Sequence, residues 1–442
     1  MGIRIIKSDR PLNDPAVAGL RGRLRAGALL GAAAGEVDVR AAVADVIKDV
    51  EARGDDAVID LTARIEKVRL APATMRVEAD RIAAARKAAD AAFMELIARA
   101  AANIRRYQRS ILLAAPPVLQ RGGRRLSVRY TPIERVGIFV PGGSGTGAVL
   151  TSTLLMTAVP AQVAGVKEIA VVSPPTVEGD VSPQVLAVAA ELGIKEIYRV
   201  SGTAGMAAMA IGTKSIRPAR KIVGPGSAFI AEAKRQLFGR VGIDSVAGPS
   251  EVLIVADGTA NAGWLAADLL AQAEHDPGSA VLVTPCADLA AKVAAELDAQ
   301  VETLERAAAA RRSLEAFSAI IVVPDLDAAC KLADEFAPEH LQLFTADDQA
   351  AMAKIRNAGA IFLGGHTPVA VGDYYAGPSH VLPTGGTARF SGPLSCNDFL
   401  KASSTLCYDA ASLAEDAPDV TYFAGQEGLT GHAASVRIRQ ET

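Results

Sequence analysis

The feature that most limits how this chain can fold is a rhythm: short runs of β-branched and aliphatic residues recur, each followed by an alanine-rich stretch long enough for a helix. The first series, VGIFVP, EIAVVSPP, EIYRVSG and KIVGPG, begins at Val136. The second, EVLIVAD, AVLVTP, AIIVVP, HLQLF and AIFLGG, begins at Glu251. Continuous apolar runs without alternation belong to strands covered on both faces, and strands that alternate with helices make parallel sheets. Two Rossmann-like parallel sheets are therefore expected, with a junction in IDSVAGPSE where Gly248 and Pro249 break the pattern. Hydrophobic residues make up 50% of the 442 positions but aromatics only 4%, a balance that suits helices on parallel strands better than an antiparallel sandwich.

Ahead of the strands, apolar residues recur every three to four positions from Val37 to about Leu113, predicting amphipathic helices. The implied layout is an N-terminal arm (1–35), a discontinuous first Rossmann-like domain (36–135 with 250–395) carrying most site residues, and a second such domain (136–249). The tail (396–442) is too short to fold alone and is expected to pack on a neighbour, either within the chain or across a dimer.

A formal net charge of −3 gives no electrostatic footprint for nucleic acid, so small-molecule chemistry is expected. The four cysteines (Cys286, Cys330, Cys396, Cys407) form no CxxC pair and support neither a disulfide framework nor a thiolate metal site. The longest early apolar run, Ala26 to Ala34, is glycine-broken and too short to span a bilayer, so a cytoplasmic protein without membrane association is expected.

Candidate chemistry gathers around the histidines, of which there are five. His366 lacks a neighbouring carboxylate and reads as a loop residue. In LLAQAEHD, Gln272 and His275 sit at i and i+3 on one helix face, placed either to address one ion or to oppose the helix dipole with a charged histidine. In APEHLQ, Glu339 and His340 supply acid/base groups of different basicity if the chain turns at Pro338, and otherwise a surface glutamate beside a half-buried histidine. GDYYAGPSHVLP holds Asp373 and His380 in a loop following a strand, where α/β proteins build sites. EGLTGHAAS offers Glu427 and His432, which also suit an ordinary helix surface. In PGGSGTGA, Gly143, Gly145 and Ala148 match a relaxed G-x-G-x-x-A dinucleotide turn, and KIVGPGSAF is a second glycine turn able to meet phosphate at a helix N-terminus.

Taken together, the blocks VGIFVPGG, KIVGPGSAFIAEAKR, VGIDSVAGPSEVLIVAD, LLAQAEHD, APEHLQLF, NAGAIFLG, GDYYAG, HVLPT, GTARFSGPLS and EGLTGHAAS resemble the histidinol dehydrogenase family, in the family's order, from about Val136 to Arg437. The resemblance implies a homodimeric, NAD-dependent enzyme with one zinc per subunit that oxidises L-histidinol through L-histidinal to L-histidine. It further implies zinc ligands at Gln272, His275, Asp373 and His432, the last crossing from the partner subunit. Glu339 and His340 fall on the catalytic acid/base pair. Substrate contacts are implied at Ser250, Gln272, His275, His340, Asp373, Glu427 and His432. The chain departs from the family on the cofactor side, where Phe139, Ala204 and Ser227 replace the usual Tyr, Gln and Asn, and near the pocket, where Val369 and Ser379 replace Glu and Asn. These departures keep in view a paralogue acting on another small polar alcohol, such as a sulfonated diol. A zinc hydrolase using Glu339 as base is disfavoured by the two Rossmann-like sheets, and a non-catalytic binding protein by the retained Glu339 and His340.

Overall fold

The computed structural model describes residues 2–25, 37–142, 150–275 and 277–440. The apolar run at 26–34 and the glycine turn at Gly143, Gly145 and Ala148 lie outside them. In chain order the strands are β1 (Ile5–Lys7), β2 (Leu119–Arg121), β3 (Arg124–Pro132), β4 (Arg135–Phe139), β5 (Glu168–Val172), β6 (Glu196–Tyr198), β7 (Lys221–Val223), β8 (Gly242–Ile243), β9 (Glu251–Ala256), β10 (Ser279–Thr284), β11 (Ala319–Val322), β12 (His340–Phe344), β13 (Ala360–Leu363) and β14 (Leu400–Cys407).

Both expected parallel sheets are present. One has the order β6-β5-β4-β7-β8 and the other β1-β11-β10-β9-β12-β13, parallel throughout. Every residue of β4, β9 and β10 is buried, which is why these strands read as unbroken apolar runs. Each sheet reverses its strand order once, between β4 and β7 in the first and between β9 and β12 in the second.

Packing differs from the expected layout in two places. The helices Val39–Arg53 and Asp55–Glu66 lie on one face of the five-stranded sheet, with Val43, Val50 and Val58 against Phe139 and Val172. Ala79–Ala88 and Ala91–Ile111 cover the opposite face, through Ile82, Met94 and Ile104 beside Val136 and Leu154. The helical segment therefore packs on the five-stranded sheet, rather than joining residues 250–395 as expected; amphipathic periodicity defines an apolar face but not the sheet that receives it. The expected N-terminal arm contributes a strand instead, with β1 pairing β11 and Ile6, Val17 and Leu20 entering the core of the six-stranded sheet.

A third sheet, β14-β3-β2, is antiparallel and was not legible in the sequence. The tail supplies β14, whose LKASSTLC is exposed over nearly its whole length and so carries no apolar alternation. Arg124 anchors the following helix, Ala410–Gln426, through Glu415 and Asp416. Among the described residues, no helix is long and apolar enough to cross a membrane.

A buried ion pair shapes the end of β7. Lys234 and Asp244 are 1% and 2% exposed, and both grip Gly224: the Lys234 ammonium donates to its carbonyl at 2.9 Å, and its N–H donates to Asp244 at 2.8 Å. Gly224 has φ +121°, and a Cβ there would lie 2.2 Å from the Phe139 carbonyl oxygen, so only glycine fits this approach of β7 to β4. Lys234→Met leaves Asp244 buried without its cation and is expected to cost about 3–5 kcal/mol in urea unfolding. A loss below about 1 kcal/mol would mean the pair is solvated or replaceable.

Candidate active site between the two parallel sheets

A cavity of about 130 Å³ lies between the sheets, and its walls come from opposite strand ends. From the five-stranded sheet it takes the carboxyl side at the strand-order reversal: Leu150, Ser152 and Thr153 follow β4, and Pro225 follows β7. From the six-stranded sheet it takes the amino side: Ser250 precedes β9, Glu339 precedes β12, and His340 is the first residue of β12. The general rule of sites at carboxyl ends thus holds for one sheet only. Asp373, expected in a loop at a carboxyl end, belongs instead to a short helix, Val369–Tyr374, that follows β13 and brings its carboxylate to 3.4 Å from His340 Nε2.

The chain reverses at Ala337, one residue before the expected turn at Pro338. The helix Leu326–Phe336 ends at Ala337 in the left-handed region, φ +51°, a conformation that costs a non-glycine residue about 1–2 kcal/mol. A bend at Glu339 follows just before β12, and both side chains line one cavity. His340 Nδ1 lies 3.0 Å from the Glu251 carbonyl oxygen, which can only accept, so in the neutral imidazole Nδ1 carries the proton and Nε2 the lone pair. Nε2 is buried without a hydrogen-bond partner. The Glu339 carboxylate accepts from the Glu251 N–H at 2.8 Å and lies 3.5 Å from His340 Nδ1.

Electrostatics set these groups apart from ordinary side chains. Burial pushes the Glu339 carboxyl up to about 7, despite the adjacent histidine. Burial works against a charged His340, but the Glu339 and Asp373 carboxylates on either side outweigh it and raise its pKa. Burial likewise raises Asp373, yet the His340 imidazole 3.4 Å away prevails and holds it below the usual carboxylate range. His275 and His380 are both lowered by burial, against the pull of Asp373. A neutral imidazole is the form that ligates metal.

Gln272, His275 and Asp373 line the same cavity as Glu339, His340 and Ser250. Gln272 is the last turn of the helix Ala262–Ala273, buried to 4% exposure, with an amide nitrogen that has no partner; His275 lies just past the helix end. Among the described residues, no three His, Cys, Asp or Glu side chains of the chain stand close enough to hold a metal. Glu427 and His432 do not reach this cavity within their own chain: both are exposed, at the end of the helix Ala410–Gln426 and on the helix Thr430–Arg437.

On the cofactor side, Phe139 closes β4 with its ring over Gly202, and Ala204 is fully buried in the helix Gly202–Ile211. Neither presents a polar atom to a ligand. Ser227 is exposed ahead of the helix Ala228–Leu237, and its hydroxyl makes no capping bond. Ser379 hydrogen-bonds the Met156 carbonyl at 3.0 Å, and Val369 packs in the core.

Two residues of the site escaped the sequence reading. His380 had no assigned role, yet it lines the cavity with Nδ1 at 2.9 Å from the Asp373 carbonyl. Glu251 read only as the start of a strand; a carboxylate leading a run buried on both faces is the signal that marks it.

Two parallel sheets closing on a cavity with a paired carboxylate and imidazole define an α/β protein with an acid/base site. A family model described as histidinol dehydrogenase matches residues 32–440. The chain is 50% identical to histidinol dehydrogenase of Rhodopirellula baltica over 90% of this chain and 86% of that one, and 45% identical to that of Geobacillus kaustophilus over 92% and 95%. A crystal structure of histidinol dehydrogenase from Elizabethkingia anophelis superposes with TM-score 0.90 and 31% identity, covering 99% of this chain and 98% of that one. The chain belongs to the histidinol dehydrogenase family.

Proposed function

We propose that this protein oxidises L-histidinol through L-histidinal to L-histidine, passing two hydrides to NAD in succession at one site. The observation that carries this reading is the placement of His340 Nε2, unpartnered and facing Asp373, on the same cavity wall as Glu339. The substrate hydroxyl proton goes to Nε2 of His340, whose Nδ1–H is held by the Glu251 carbonyl and so cannot compete. For the second oxidation Glu339 takes a proton from the water that adds to the aldehyde; a carboxyl near 7 is matched to that transfer at neutral pH.

The donors fit a zinc ion: the His275 imidazole nitrogen and the oxygens of Gln272 and Asp373 line one cavity. Zinc so held supplies a Lewis acid for the substrate oxygen, and NAD accepts hydride. With Asp373 engaged as a ligand, its carboxylate would favour the His340 imidazolium less, and Nε2 would be available as base. Ser227 is the cofactor-side residue with a hydroxyl free to bond the dinucleotide, and Phe139 contributes shape alone.

The fourth ligand, His432, and the substrate contact at Glu427 come from a second copy in a homodimer located in the cytoplasm. Their exposure, together with that of Leu406, Tyr422 and Phe423 at 70%, 70% and 67%, supports this assignment of the tail. His275→Ala and His432→Ala are each expected to be inactive. Subunits exchanged between them should regain about a quarter of wild-type activity, because half the dimers then hold one intact site. No recovery in a mixture shown to contain heterodimers would place His432 in its own subunit's site. The function itself is tested by NADH formation from histidinol.

A further inference from the structure

We propose that Glu251 is a positioning residue that holds Glu339 and His340 in mutual register, an inference that rests on the acid/base roles given above. Three groups of this one residue reach the pair. Its N–H donates to the Glu339 carboxylate at 2.8 Å, and its carbonyl faces His340 Nδ1 at 3.0 Å. Its carboxyl oxygen Oε1 accepts from the Glu339 N–H at 3.2 Å and from the Gly385 N–H at 2.9 Å. Glu251 and Glu339 thus exchange bonds in both directions, each side chain holding the other's backbone, at the amino ends of adjacent strands β9 and β12.

The bond to Gly385 extends the grip to a third segment. Val381, Leu382 and Thr384, just before it, form part of the cavity wall. One buried oxygen therefore ties β12 and the loop that follows His380 to the start of β9. Glu251 does not line the cavity, so it acts through Glu339 and His340 rather than on substrate. Burial and the nearby Glu339 push its carboxyl up to about 8, and the neutral amide of glutamine is a close mimic of it.

The test compares Glu251→Gln, Glu251→Asp and Glu251→Leu in the full-length, zinc-loaded enzyme with histidinol and NAD, corrected for folded fraction by circular dichroism. Glutamine keeps an oxygen at Oε1 and should retain kcat within about threefold. Aspartate withdraws that oxygen by one methylene and leucine removes it; each should lower kcat on the order of 10²-fold with KM for histidinol within about threefold, the mark of a misplaced reacting group. Glu251→Gln also keeps the inference testable if leucine prevents folding. The proposal is overturned if aspartate and leucine retain kcat per folded molecule, or if glutamine falls as far as leucine, which would make the Glu251 carboxyl a proton-transfer group in its own right. A wild type that makes no NADH from histidinol overturns the proposed function and this inference with it, and the wild-type arm separates that failure from the others.

Discussion

Replacing His340 by asparagine is expected to lower kcat for histidinol oxidation by about 10²–10⁴-fold while leaving KM within a few-fold. Asparagine preserves a donor near Nδ1, so the bond to the Glu251 carbonyl can persist, but it has no basic lone pair where Nε2 stood. The loss therefore isolates proton transfer from packing. Steady-state kinetics on the purified variant, beside a thermal melt to show an intact fold, check it. An unchanged kcat would remove His340 from the mechanism.

Glu339→Gln has a different expected signature because the role proposed for Glu339 falls in the second oxidation. The first hydride still leaves with His340 as base, but the aldehyde then waits for unactivated water. Turnover through the second step should fall by about 10²–10⁴-fold, with NADH approaching one equivalent per histidinol in the early phase and an aldehyde that hydroxylamine traps. In the wild type the second step should quicken as pH rises through about 7, where Glu339 becomes the carboxylate that can accept a proton; glutamine removes that limb. Two equivalents of NADH at the wild-type rate from Glu339→Gln would show that another group activates the water.

Much of this was legible in the residues. Strands buried on both faces announce themselves, as EVLIVA and SAVLVT do, and both parallel sheets followed. Gln272, His275, Glu339, His340 and Asp373 were each marked by polar residues in unusual company and Ser250 by the family resemblance, and all six meet in one cavity. What failed was long-range assembly. The helices of residues 37–111 pack on the five-stranded sheet, a choice among partners that periodicity cannot encode. β14 escaped because a strand exposed on both sides carries no apolar signature. Glu251 escaped because its role consists of hydrogen bonds to Glu339 and Gly385, 88 and 134 positions away, and spacing along the chain does not register such pairs. The strand ends that frame the cavity were likewise invisible, since opposed sheet ends arise only when two domains dock.

The most direct measurement of the central claim is the stoichiometry of NADH formed from limiting L-histidinol by the zinc-loaded wild-type protein. Two equivalents of NADH with L-histidine as the end product are expected. No NADH, or a single equivalent with the aldehyde released, would contradict the account of one cavity performing both oxidations.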